Sequence, residues 1–112
     1  MERPFVFYLR ISSWSQAGGD GIPRQFRACV ESLDLVPGGT CIAVFTEVAS
    51  GAGPLPIRES AVRFAKAQGA RLLVESMDRW TRKEADSVPD IVTFACPEYR
   101  RLEGRLRKVL GL

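Results

Sequence analysis

The sequence predicts an α/β fold in which a mostly parallel sheet of four to five strands is flanked by helices. Three observations carry that prediction. Strand-like and helix-like segments alternate along the 112 residues. The runs PFVFYLRI and CIAVFTEV are rich in apolar, β-branched and aromatic residues, as buried strands are. The segments between them carry apolar residues three and four apart, the spacing of one helical face.

The elements follow in order. PFVFYLRI is the first strand, and AGGDGIP the loop after it. Pro23 suits the first turn of a helix over RQFRACVESLDL, in which Phe26, Cys29, Val30 and Leu33 share a face. VPGGT turns the chain into CIAVFTEV, a second buried strand. After the loop SGAGPLP, a second helix covers IRESAVRFAKAQGA, with Gly69 placed to stop it. RLLVESM is the third strand, DRWTRKEADS starts a helical turn that Pro89 breaks, and DIVTFAC is the fourth strand. The last segment, about residues 97–110, is a short helix with Tyr99, Leu102, Leu106 and Val109 along one stripe, suited to core or to a dimer interface. Consecutive strands joined by helical crossovers pair in parallel, with right-handed connections. Residues 1–112 form one domain, with no repeat, low-complexity tract or linker.

Composition narrows the chemistry. Hydrophobic residues make up 46% and charged residues 26%, ordinary for a globular protein. No apolar run is long enough to span a membrane, and Arg10 interrupts PFVFYL too early for a secretory signal, so a cytoplasmic location is expected. Cys29, Cys41 and Cys96 are widely spaced among apolar neighbours and read as buried thiols rather than disulfides or metal ligands. Histidine is absent, which excludes His-dependent triads and most catalytic zinc sites. The net charge of +3 is matched by the tail alone, where Arg100, Arg101, Arg105, Arg107 and Lys108 face only Glu98 and Glu103. A solvated helix face and a nucleic-acid contact both fit that distribution.

Sheets of this kind place their sites beyond the carboxyl ends of the strands. RISSWSQ, TEVASG and MDRWTR are therefore expected to meet. Alternation puts Arg10 and Ser12 on one side of the first strand and Ser13 on the other. Arg79 and Arg82 lie three apart, on one face of a helical turn that Asp78 is placed to cap, unless it braces an arginine. A serine hydroxyl surrounded by arginines suits phosphoryl transfer, because guanidinium forks bind phosphate oxygens bidentately and stay charged. Trp14 and Trp80 flank this site, as pocket covers or as loop packing.

These segments resemble the catalytic domain of the serine recombinases, the resolvase and invertase family. The resemblance rests on Tyr8-Leu9-Arg10-Ile11-Ser12 with Gln16, Gln25 in the first helix, Glu47 followed by Ser50 and Gly51, Arg58 leading the second helix, and Asp78, Arg79 and Arg82. It implies a site-specific DNA recombinase domain in which Ser12 attacks a DNA phosphodiester, leaving a 5′-phosphoseryl link and a free 3′-hydroxyl. Arg10, Arg79 and Arg82 would stabilise the phosphate, with Asp78 orienting arginines or moving a proton. Arg58, Gln16, Gln25, Glu47 and Ser50 would shape the substrate-binding surroundings. The broken bond's energy is kept in the ester, so no cofactor and no metal is implied. DNA and a homodimer or tetramer of the chain are the implied partners.

Four departures from the family pattern stand out. Glu47 replaces the usual aspartate, and the loop GAGPLPIR is longer and richer in proline. KEADSVP leaves little more than a turn before DIVTFAC, and no DNA-binding domain is expected beyond the final helix. An alternative follows from the last two: a resolvase-fold module that binds DNA or protein and no longer exchanges strands. A phosphatase-like hydrolase ranks below both, because nothing here activates water.

Overall fold

The computed structural model describes residues 2–13, 21–50, 53–81 and 88–95. The predicted final helix, Trp14, Gln16, Gly51, Arg82 and Cys96 lie outside them. The described elements run β1 (Arg3–Ile11), α1 (Ile22–Leu33), β2 (Gly39–Val48), α2 (Pro56–Gln68), β3 (Arg71–Val74), α3 (Met77–Trp80) and β4 (Val92–Phe94). The strands form one four-stranded sheet in the order β2-β1-β3-β4. Every pairing is parallel.

β1 is the spine because its sequence tolerates cover on both faces. Val6, Phe7, Tyr8, Leu9 and Ile11 are all buried. Val6 and Tyr8 pack with Ala61 and Ala65 of α2, together with Leu72, Val74 and Trp80. Phe5, Phe7 and Leu9 face the other way, onto Cys29 and Leu33 of α1. The two-residue period of a strand thus divides one apolar run between two helical layers. Each such side chain contributes about 1.5–3 kcal/mol on burial. The small Ala61 and Ala65 let α2 lie close to the sheet, and Phe64 meets Phe45 of β2 with ring centroids 5.7 Å apart.

The helix ends follow the sequence signals. Proline occupies the first turn of both α1 and α2, and Gly69 closes α2 in the left-handed conformation at φ 64°. Gly39 admits β2 beneath α1: a Cβ there would stand 2.7 Å from Leu33 Cδ1.

Several expectations are corrected. β2 is not a fully buried strand but an edge strand, and Cys41, Ile42, Val44 and Thr46 are exposed along it. Cys41 is therefore an exposed thiol, whereas Cys29 is buried and its acidity is suppressed, its pKa pushed up to about 12 by desolvation. The buried face of α1 is Gln25, Cys29, Ser32 and Leu33, with Phe26 left 43% exposed. β3 stops at Val74, three residues short of the predicted RLLVESM. None of the described helices is long and apolar enough to cross a membrane.

Candidate active site

β1 leads through α1 to β2 on one side, and β3 lies on β1's other side. The order therefore reverses between β1 and β3, and sheets of this kind bind ligands beyond the carboxyl ends at such a point. β3 pairs with β1 only over Phe5–Phe7. Farther along, the main chain of β1 on that side has no strand partner among the described residues, and the Gln25 side chain bonds to it instead. Its carboxamide accepts from the Arg10 N–H at 3.0 Å and donates to the Arg10 carbonyl at 2.9 Å. Those bonds explain why a glutamine occupies the buried face of α1, with 0% exposure.

Arg10 is 1% exposed, on the α2 face of the sheet. Its guanidinium donates to three main-chain carbonyls: Nε to Arg79 at 3.0 Å, one terminal nitrogen to Ala49 at 2.7 Å, and the other to Asp78. A planar fork with fixed donors suits three acceptors from two separate segments. Arg10 thus ties the end of β2 to α3 and fixes both against β1.

Glu47, which pairs in register with Arg10, is likewise buried. Its carboxylate accepts from the Tyr8 hydroxyl at 2.6 Å and from the N–H groups of Ile57 and Arg58, each at 3.0 Å. The residue before α2 makes no side-chain cap, so Glu47 caps that helix from β2 and sets a negative charge at its positive end. Burial, the bond to Glu47 and the carboxylate's charge push the Tyr8 hydroxyl far above its ordinary pKa, so it remains a donor. Tyr8→Phe removes a buried, charge-assisted hydrogen bond worth about 1.5–3 kcal/mol. Thermal denaturation should show a midpoint lower by roughly 5–12 °C; an unchanged midpoint would mean the hydroxyl contributes nothing.

Arg58 donates to the Trp80 carbonyl at 2.8 Å, and its guanidinium lies over the Trp80 ring, 4.9 Å from the centroid. Trp80 is 2% exposed and meets Tyr8 edge-on, so it packs the core beneath the site rather than covering it. Asp78 lies inside the first turn of α3 and gives its carbonyl to Arg10; Ser76, not Asp78, precedes the helix. Thr81 is extended, so the helical spacing expected between Arg79 and Arg82 is broken before Arg82 is reached.

Ser12 and Ser13 follow β1 directly, and both are exposed. Arg79 brings its guanidinium to 3.5 Å from the Arg10 carbonyl, two residues before Ser12. Ser50 is exposed beyond β2, one residue after the Ala49 carbonyl that Arg10 holds. Two side chains at this mouth did not enter the sequence reading. Glu75 is buried just past β3, and Arg24 in the first turn of α1 is ion-paired with it. RLLVES read as an ordinary strand end, and only the placement of α1 over β3 joins the two residues.

The strands and helices define a parallel α/β domain whose candidate site lies at the switch point between β1 and β3. That fold is the fold of serine recombinase catalytic domains. The C-terminal catalytic domain of ISC1926 TnpA, an IS607-like serine recombinase, superposes with a TM-score of 0.69 at 18% identity, over 95% of this chain and 79% of that one. The N-terminal catalytic domain of TP901-1 integrase superposes with a TM-score of 0.63 at 22% identity, over 72% of this chain and 62% of that one. No protein-family model and no curated protein matches the sequence.

Proposed function

We propose that the chain is the catalytic domain of a serine recombinase, cleaving and rejoining DNA through a 5′-phosphoseryl intermediate. One observation carries this reading: an exposed serine directly follows the central strand at the switch point, and the Arg79 guanidinium is turned back onto that strand end. The Ser12 hydroxyl loses its proton as its oxygen attacks phosphorus, the bond to the 3′-oxygen breaks, and the departing alkoxide takes up a proton, so none is gained or lost overall. Rejoining runs these steps in reverse, with a new 3′-hydroxyl as the nucleophile.

The protein's contribution is mainly positional and electrostatic. Arg79, with Arg82 from the segment beyond α3, stabilises the charge that spreads over the phosphate oxygens. Arg10 acts beneath them: its three carbonyl contacts hold α3 and the β2 end in place. Gln25 fixes the main chain that presents Ser12, while Glu47 and Arg58 fix the ends of α2 and α3. Asp78, in the first turn of α3, orients the arginines, and Gln16 and Ser50 contribute to substrate binding. The domain acts on DNA as a dimer or tetramer in the cytoplasm.

Incubation with a suicide duplex that loses a short strand on cleavage tests this reading. A covalent adduct carrying a 5′-phosphate on Ser12, identified by peptide mass spectrometry, is the expected product. DNA binding without any adduct would leave the fold serving as a binding module.

A further inference from the structure

We infer that Glu75 is an internal counter-anion at the mouth, and that Arg24, which it holds together with Arg79, is a phosphate-binding residue. The inference rests on the DNA-directed reading above and names a contact which that reading does not contain. Neither Glu75 nor Arg24 belongs to the residue pattern that carries the family resemblance.

Glu75 is 8% exposed at the carboxyl end of β3, where an unpaired carboxylate would be costly. It is paired through both oxygens. Oε2 meets Arg24 of α1, and Oε1 lies 3.6 Å from Nε of Arg79 on α3. The carboxylate is shut in, but the arginine side chains keep 45% and 23% of their surface open to solvent. Two guanidinium forks converging on one oxyanion form the arrangement that a phosphate also takes.

This cluster adjoins the proposed nucleophile. Arg79 also reaches the Arg10 carbonyl, and Gln25, next to Arg24, grips the same residue's main chain. Glu75 holds the trio at one net positive charge and keeps both arginines ordered between α1 and α3. A DNA phosphate that engages the solvent-facing surface of these two side chains competes with that carboxylate, so Glu75 restrains affinity while it positions the arginines.

Binding of the chain to a short fluorescent duplex, followed by anisotropy across a salt series, tests this. Glu75→Gln should bind on the order of tenfold more tightly at low salt, and its log–log salt slope should steepen by about one to two. Adding Arg24→Ala should take back about one unit of that slope. Equal affinity and slope for the parent and Glu75→Gln overturn the inference, as does failure of both to bind at the lowest salt. If Glu75→Gln does not fold, Arg24→Ala alone decides. Arg79 still pairs with Glu75 in that variant, so the fold tolerates the change, and it should weaken binding with a shallower slope; unchanged binding is the refuting result. Adduct formation by the parent is scored separately. An adduct with no slope change refutes the inference alone, and a slope change with no adduct refutes the cleavage reading alone.

Discussion

Ser12→Ala is expected to eliminate the covalent protein–DNA adduct while leaving DNA binding and the melting midpoint near those of the parent. The loss should exceed roughly a thousandfold, because no other group can take over a removed nucleophile. The exposed position of Ser12 is what makes the fold indifferent to the change. Ser13→Ala is the matched control. The two hydroxyls are neighbours and both exposed, and the alternation expected from the sequence sends them to opposite sides. Ser13→Ala should therefore retain at least half of the adduct yield. Adduct persisting in Ser12→Ala, or vanishing only in Ser13→Ala, would overturn the assignment of the nucleophile.

Arg10→Ala is expected to cost more stability than any other single change at the site. It empties a buried volume and deprives the carbonyls of Ala49, Asp78 and Arg79 of their donors. Each orphaned group costs about 1–3 kcal/mol, less whatever water can restore. A loss of about 4 kcal/mol or more is therefore expected, against a total of about 5–15 kcal/mol for a domain of this kind. Urea denaturation should show a midpoint moved far toward zero, or no folded baseline at all. Arg10→Lys should recover only part of this, because an ammonium is a point donor and cannot span three acceptors arranged around a fork. A variant as stable as the parent would show that Arg10 serves substrate contact alone.

The same residue shows how far the sequence can be read. A guanidinium at the end of an apolar strand, followed by serine, marks a candidate site at that strand's end. It does not say whether the guanidinium faces substrate or holds the site together. Gln25 and Glu47 pose the same problem. Both were picked out by the resemblance of RQFRAC and FTEVAS to the family pattern, which says nothing of their partners. Gln25 needs the gap left where β3 stops pairing with β1, and Glu47 needs the N-terminus of α2 brought over β2. Both arise from registers between segments, which no local pattern encodes. The turn at DRWTR was legible, yet its end at Trp80 was not. The helix breaks into extended chain at Thr81, where Trp80 is fixed by Tyr8 and Arg58.

By itself the sequence determined the alternating α/β plan and the stop of α2 at Gly69. Those depend on local conformational preference and on the period of apolar residues, both properties of neighbours along the chain. Only the tertiary structure decided that β2 is an exposed edge, that α1 turns Gln25 inward in place of Phe26, and that Glu75 pairs with Arg24 and Arg79. The physical reason is that burial and ion pairing depend on which distant segment lies opposite. That is fixed by strand order and crossover packing, so the charges of the site acquire their partners only when the sheet closes.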